Sequence, residues 1–204
     1  MKSLLQLNTS IFSDAGQSTR LADAFVAARR AIEPGLKVVV RDFARDPVPH
    51  LTAEGFQGFL AKPESRTPGQ AKVVAYSDAL IEEIRRADTI VLGLPMYNFA
   101  VPSTLKAYFD HVARAGVTFK FTDKGPVGLL SGKKAYVFAA RGGVYLGTTA
   151  DTQTAYVRDF LAFLGITDVE FVYAEGLALG EAPKKSAIEK AEREIAALNE
   201  LEAA

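Results

Sequence analysis

Short apolar runs alternate with stretches of helical period along the whole chain, and this alternation restricts the folds that it can form. Five such runs predict β-strands, at residues 3–8, 37–40, 89–94, 135–140 and 169–174. Between and after these runs, apolar residues recur on one helical face, as Leu21, Phe25 and Ile32 do after the first run. Strands joined by crossover helices run parallel and are covered on both faces. The sequence therefore predicts a three-layer α/β fold.

The character of individual strands predicts their places in the sheet. The run at 89–94 is almost entirely apolar, which is typical of a central strand, whereas Glu170 inside the run at 169–174 favours an edge. Gly165 stands where a glycine would end the preceding helix. In parallel sheets of this kind, ligands bind beyond the carboxyl ends of the strands. We therefore expect the chemistry in the loops after the first, third and fourth strands.

Two segments depart from this alternation. Residues 42–69 form a long link with four prolines and a possible short helix at 52–60. Residues 117–123 alternate apolar and polar side chains, with Val117, Phe119 and Phe121 on one side. Links of this length within a compact domain are often lids or interfaces.

Composition limits the class of protein. A chain of 204 residues can bury one substantial core, so we expect a single domain over residues 1–204. Its 24 basic and 24 acidic residues give a formal net charge of zero, which gives no reason to expect a nucleic-acid or membrane-surface partner. No run of about 18 apolar residues and no signal-peptide pattern occurs, so we expect a cytoplasmic protein.

Several kinds of catalytic site are disfavoured. Cysteine is absent, which excludes disulfides and thiol nucleophiles, and the two histidines make a transition-metal site improbable, so no metal is expected. Asp110 and His111 are neighbours on a helix and point about 100° apart, so we expect a surface or interface role for them. The chain has no G-x-S-x-G elbow, no P-loop and no G-x-G-x-x-G after a strand.

The loop after the first strand, Asn8 to Arg20, leads directly into a helix. It offers the hydroxyl groups of Ser10, Ser18 and Thr19, and Gly16 permits a tight turn. The start of a helix also presents unpaired N–H groups that attract a phosphate. The alternative is that Ser18 or Thr19 only caps the helix.

The loop after the third strand, "LPMYNFAVPST", is unusually apolar for a turn. Met96, Tyr97 and Phe99 could hold a planar ring while Asn98 meets its polar edge. Pro95 and Pro102 would stiffen this corner before a ligand arrives. The alternative is an ordinary core corner.

The loop after the fourth strand, "ARGGVYLG", carries adjacent glycines. Gly142 and Gly143 let the main chain approach a ligand closely, and Arg141 adds a possible charge, although any sharp turn could use such a pair. A phosphate site, a flat apolar surface and a close-approach backbone on one edge of the sheet together suggest flavin mononucleotide (FMN).

These motifs and two longer segments resemble the FMN-dependent NADH-azoreductases, a flavodoxin-like family of dimeric quinone and azo-compound reductases. The motifs are "PMYNF" at 95–99, "QS" at 17–18 and "RGG" at 141–143, and the longer segments are 113–135 and 164–176. The resemblance spans nearly the whole chain. It implies a flavodoxin-like sandwich with strand order 2-1-3-4-5 and FMN at a two-fold dimer interface.

The resemblance also implies which residues meet the flavin. The phosphate would be held by Ser10, Gly16, Gln17 and Ser18. The ring and ribityl chain would be held by Met96, Tyr97, Asn98 and Phe99. The far edge of the ring would meet Ala140, Arg141, Gly142 and Gly143. Family members often carry serine in place of Gly16 and Ala140, so two hydroxyl contacts are expected to be absent.

The family's reaction is two-electron transfer from NADH or NADPH, by way of flavin N5, to quinones and azo compounds in a ping-pong sequence. No side-chain acid or base is required, and the amides of Gly142 and Gly143 are candidates for stabilising charge on the reduced flavin. The walls of the substrate pocket would include Phe99, Phe119, Phe121, Tyr145 and Phe163, some of them from a partner subunit. Ordinary core packing is the alternative for each phenylalanine.

Two other functions stay open at this point. A flavodoxin-type electron carrier would bind FMN without oxidising NAD(P)H, but such carriers typically show an acidic face and this chain is charge-balanced. A ligand-binding module with no redox role would bind no flavin. The choice between NADH and NADPH is also open, since Arg141 and Lys120 could favour a 2′-phosphate.

Overall fold

The computed structural model describes residues 2–203. The strands are β1 (Ser3–Asn8), β2 (Lys37–Asp42), β3 (Thr89–Pro95), β4 (Phe119–Thr122), β5 (Gly125–Gly128), β6 (Lys134–Ala140) and β7 (Asp168–Ala174). The α-helices are α1 (Gln17–Ile32), α2 (Ala53–Leu60), α3 (Pro68–Arg86), α4 (Ser103–Val112), α5 (Thr154–Leu164) and α6 (Glu181–Ala203). All five predicted strands are present, and four of them extend one or two residues beyond the apolar runs.

Five strands form one parallel sheet in the order β2-β1-β3-β6-β7. The predicted order 2-1-3-4-5 counts only these five strands and is confirmed. β3 lies at the centre and is buried from Ile90 onward, while β7 lies at an edge with Glu170 exposed, both as predicted.

Two hydrophobic cores cover the opposite faces of this sheet. Phe25 of α1 packs on Tyr136 and Phe138 of β6, with ring centroids 4.5 and 5.3 Å apart. On the other face, α3, α4 and α5 pack against alternate residues such as Leu92 and Val137. Successive residues of a strand point to opposite faces, so the continuous apolar runs seen in the sequence fill both cores.

The alternating segment at 117–123 is half of an antiparallel hairpin formed by β4 and β5, which is separate from the main sheet. The hairpin packs closely on the end of α5, because a Cβ atom on Gly128 would lie 2.0 Å from the nitrogen of Gly165. Gly165 itself ends α5 with a φ of 98°, as predicted.

The long link contains the predicted short helix, α2, which Thr52 caps by accepting a hydrogen bond from the N–H of Gly55. The sequence predicts a surface or interface role for His111, and the surface position is wrong, because this residue is buried beneath the link within one chain. Its Nε2 lies 3.0 Å from the carbonyl oxygen of Pro49, and its ring meets Tyr76 edge-on. Apolar neighbours favour the neutral imidazole, and burial lowers the pKa of His111.

Among the helices of the described residues, none combines enough length and apolar character to cross a membrane.

Candidate functional site

The start of α1 presents free backbone donors beyond the carboxyl ends of the strands. The first helical hydrogen bond runs from the N–H of Arg20 to the carbonyl of Gly16, so the preceding three N–H groups, of residues 17–19, lack a helical partner. Gly16 is the N-cap, and no side chain caps the helix. The alternative that Ser18 or Thr19 serves as the cap is therefore wrong.

Two buried hydroxyl groups near this helix start have no protein partner. Within the described residues, neither Ser18 Oγ nor Thr19 Oγ1 has a hydrogen-bond partner, although both are fully enclosed. Native proteins rarely leave such groups unpaired unless a ligand or water satisfies them. Gly93 allows α1 to lie this close to β3, since a Cβ atom there would stand 3.1 Å from the carbonyl oxygen of Ser18.

The loops after β1 and β3 are joined through a tyrosine hydroxyl. Tyr97 Oη accepts a hydrogen bond from the N–H of Ile11 at 3.2 Å and lies 3.3 Å from Ser10 Oγ. Ser10 Oγ in turn packs directly against Gly16, because a Cβ atom added to Gly16 would lie only 2.2 Å from this oxygen. The phosphate loop and the aromatic corner therefore form one connected unit.

The aromatic corner turns through two residues with strained backbone. Asn98 and Phe99 have φ angles of 50° and 64°, and Tyr97 and Ala100 exchange two backbone hydrogen bonds around them. This two-residue turn normally takes Asn-Gly, because a side chain such as that of phenylalanine disfavours the left-handed conformation at the second position. The Phe99 ring is more than half exposed at this tip. Such strain at an exposed aromatic is typical of a functional site.

A buried glutamine immediately before α5 supports the same corner. The side-chain amide of Gln153 donates to the carbonyl oxygens of Pro95 and Ala100, at 2.9 and 3.0 Å. Thr152 also donates a hydrogen bond to the carbonyl of Phe99. Sequence reasoning missed both residues, because they lie more than 50 positions along the chain from the loop that they hold.

The expectation that Arg141 offers a free charge is wrong. Its side chain is completely buried and forms ion pairs with Asp151 at 2.9 Å and Glu175 at 3.1 Å. Burial alone would raise the pKa of Asp151, but hydrogen bonds from Thr154 and Arg141 outweigh it, and the pKa is lowered. Arg141 therefore ties β6 to α5 and β7 and cannot select a 2′-phosphate through its side chain.

The main chain of the loop after β6 offers hydrogen-bond donors, whereas the side chain of Arg141 is buried in its ion pairs. Glu175 accepts hydrogen bonds from the N–H groups of Tyr145 and Leu146, which fixes the far side of the loop. The carbonyls of Gly142 and Gly143 bond to the segment after β7, whereas their N–H groups donate to no acceptor within the described residues. Two backbone donors are therefore free at this edge.

The three loops enclose one cavity of about 450 Å³. Nine of the twelve predicted flavin contacts line it: Ser10, Gly16, Gln17, Ser18, Met96, Tyr97, Ala140, Arg141 and Gly142. Asn98, Phe99 and Gly143 lie outside this lining. Sequence reasoning did not single out five further lining residues as contacts: Phe12, Ala15, Pro95, Leu177 and Lys184.

The predicted aromatic walls divide into two groups. Phe99 and Tyr145 meet edge-on beside the cavity, with ring centroids 5.8 Å apart. Phe119 instead packs on Phe121 and Phe163, at 5.4 and 4.3 Å. None of the five predicted wall residues is among those that line the cavity within one chain. The expectation that some of them come from a partner subunit stays a prediction.

The second group, Phe119, Phe121 and Phe163, lies at the opposite end of the sheet, near the amino ends of its strands. Arg85, just before β3, donates to the carbonyl of Val117 at 2.6 Å, and the N–H of Leu130 donates to the carbonyl of Leu164 at the end of α5. These anchors hold the hairpin near the amino ends of β3 and β6, whereas the cavity lies beyond their carboxyl ends.

The residues at the cavity fit the FMN expected from the sequence. Free helix N–H groups and the unpartnered hydroxyl of Ser18 match a phosphate, the corner at Met96 and Tyr97 matches a flat ring, and the free amide of Gly142 matches its polar edge. Within the described residues, no cluster of His, Asp or Glu side chains could hold a metal ion.

Comparisons with known proteins agree with this fold. A family model described as a flavodoxin-like fold matches residues 2–198. The FMN-dependent NADH:quinone oxidoreductase of Cellvibrio japonicus is 53% identical over 199 residues, which are 97% of this chain and 100% of that protein. The azoreductase of Bacillus anthracis strain Sterne has a TM-score of 0.90 at 30% identity, covering 98% of this chain and 99% of that one. A B. anthracis FMN-dependent NADH-azoreductase, solved in complex with FMN, has a TM-score of 0.86 at 26% identity, covering 98% and 100%.

Proposed function

The chain belongs to the flavodoxin-like family of FMN-dependent NADH:quinone oxidoreductases and azoreductases, and from this premise we propose that it transfers two electrons from NADH to quinones and azo compounds in a ping-pong sequence. The proposal rests on one observation, which is that the loops after β1, β3 and β6 line the same cavity. Together they present free N–H groups, an unpartnered hydroxyl and an apolar corner to it. Residues 1–204 act as one FMN-binding domain in the cytoplasm.

Each loop has its own part in holding FMN. The N–H groups of Gln17 and Ser18, with the hydroxyls of Ser10 and Ser18, hold the phosphate. Met96, Tyr97, Asn98 and Phe99 contact the ring and the ribityl chain. Ala140, Gly142 and Gly143 meet the ring edge through their backbone, and Arg141 contributes its main chain, since its side chain is buried.

When bound, FMN would supply the redox chemistry, which is two-electron transfer from NADH to the acceptor. The chain's own groups orient it and tune its charge. The amides of Gly142 and Gly143 are fixed before the reaction by their carbonyl bonds to the segment after β7, so they can stabilise negative charge without reorganising. The Phe99 and Tyr145 rings, which meet edge-on, give a flat acceptor an apolar surface.

The complete site requires a homodimer. Phe121 is 73% exposed and meets Phe119, which in turn packs on Phe163, at the end of the sheet opposite the cavity. An exposed ring that continues such a cluster forms part of an apolar surface patch, and patches of this kind are typical of interfaces. These side chains can line a cavity only if it belongs to a second copy of the chain, as a two-fold interface allows.

A visible spectrum followed by an NADH titration tests the proposal. The purified protein should be yellow, should bleach with NADH in the absence of oxygen, and should regain its colour when benzoquinone is added. A colourless protein that FMN cannot reconstitute would refute it. Turnover with NADH and quinone alone also excludes an electron carrier, which would need a separate reductase.

A further inference from the structure

Lys184 lies in the first turn of α6 and is partly buried without a strong partner. Its side chain is 36% exposed, and its Nζ lies 3.5 Å from Glu181, whose side chain is 92% exposed. A carboxylate so exposed to water contributes little to the free energy of folding. The pair with Glu181 therefore does not explain why the lysine stem is covered.

The position is also unfavourable for a cation. The first turn of a helix carries the positive end of the dipole, which favours an anion nearby and disfavours an ammonium group. The next residue, Lys185, avoids this cost differently, because its side chain is 79% exposed and reaches towards Glu189 one turn later. Lys184 instead lines the cavity between the first turns of α1 and α6.

Within the part of the chain that the structure describes, no other free positive charge lines the cavity. Among the described residues that line it, Arg141 and Lys184 are the cations, and Asp151 and Glu175 neutralise Arg141. On the same lining, and within the described residues, Ser18 Oγ is buried without a partner and the N–H groups of Gln17 and Ser18 have no hydrogen-bond acceptor. These donors and Lys184 line one cavity, and together they suit a dianion.

We propose that Lys184 binds the phosphate group of the flavin and so makes the cavity selective for FMN over riboflavin. This inference rests on the proposed function, since it assigns the phosphate end of the same cavity. The ammonium supplies a counter-charge that the neutral donors of α1 cannot, and the phosphate in turn satisfies the unfavourably placed cation. Riboflavin carries the same ring without the phosphate, so it separates this contact from contacts with the ring.

The test measures the dissociation constants of FMN and riboflavin for the full-length chain, by flavin fluorescence. Lys184→Gln should weaken FMN binding about tenfold at low salt, which corresponds to the loss of one charge-assisted hydrogen bond, and should leave riboflavin binding unchanged. Raising the salt to about 0.5 M should shrink the difference between wild type and Lys184→Gln. Lys184→Arg, which keeps the charge, should retain most of the affinity.

Lys185→Gln is the matched control, because it removes the same charge from the same helical turn outside the cavity lining, and it should change FMN affinity less than about twofold. Equal weakening of FMN and riboflavin by Lys184→Gln would overturn the inference, as would unchanged FMN affinity. Wild-type protein that binds neither flavin would instead overturn the proposed function, so the two failures are distinguishable.

Discussion

Phe99 occupies a backbone conformation that its side chain disfavours, at the second position of the turn between Tyr97 and Ala100. We expect Phe99→Gly to be more stable than Phe99→Ala by about 1 kcal/mol, because both lack the ring and only alanine keeps the strain of a positive φ. Denaturant unfolding of the two variants measures this difference. Equal stabilities would show that the turn relaxes and stores no strain.

Gln153 holds the same corner through its side-chain amide. Gln153→Leu should lower the free energy of unfolding by about 1–3 kcal/mol, because the carbonyls of Pro95 and Ala100 lose their buried donor. It should also weaken FMN binding, since the corner is no longer fixed in advance. Gln57→Leu, at an exposed position on α2, is the control and should change neither quantity. Normal FMN affinity in Gln153→Leu would contradict the positioning role.

At the residue scale, the sequence predicted the groups that lie within each loop and missed the groups that support the loops. Serines and glycines after a strand carry a local signal, because tight turns favour glycine and helix starts favour small polar residues, although the N-cap of α1 is Gly16 and not a serine. Glu175, Gln153 and Lys184 carry none, because each acts on a loop that is distant in sequence. The buried pairing of Arg141 was missed for the same reason.

The link between β2 and α3 is attached to α4 through a histidine that can be tested by pH. Burial lowers the pKa of His111 from about 6.5, more than the Pro49 carbonyl and Asp110 raise it, and its Nδ1 has no partner within the described residues. The unfolded chain therefore binds a proton more readily than the folded chain. The stabilisation from neutral His111 is full above about pH 6.5 and is lost as the pH falls towards the folded pKa.

We accordingly expect wild-type protein to lose stability between about pH 7 and pH 5 and His111→Gln to lose less over the same window, because glutamine keeps a donor for Pro49 and does not titrate. Urea unfolding at several pH values gives the comparison. His50→Gln, at an exposed position, should follow the wild-type curve. Parallel curves for wild type and His111→Gln would exclude this residue as the source of the pH dependence.

At the element scale, periodicity predicted the central sheet because its strands are buried on both faces and read as continuous apolar runs. It did not give the pairing of β4 with β5. That hairpin is short and mostly exposed, and its position depends on the close contact of Gly128 with Gly165, which no local pattern encodes.

At the scale of the whole molecule, the position of the hairpin determines which parts of the site could be predicted from the sequence. The cavity loops come from one edge of the sheet, as strand order requires, and could be anticipated from the fold. The aromatic cluster of Phe119, Phe121 and Phe163 lies at the other end of the sheet, so the wall role that we propose for it depends on a second copy of the chain. A site shared in this way makes a prediction about mixtures of variants.

Ser18→Asp should block FMN binding by placing a negative charge at the phosphate site, and Phe121→Glu should impair turnover by placing a charge in the partner's apolar wall. Each variant alone should have low NADH:quinone activity. When the two are co-expressed, hybrid dimers contain one site built from the intact loops of one chain and the intact hairpin of the other. With random pairing, about a quarter of all sites are restored. Activity near a quarter of wild type therefore supports a shared site, whereas no recovery in verified hybrid dimers, or full activity of Phe121→Glu alone, shows that each chain completes its own cavity.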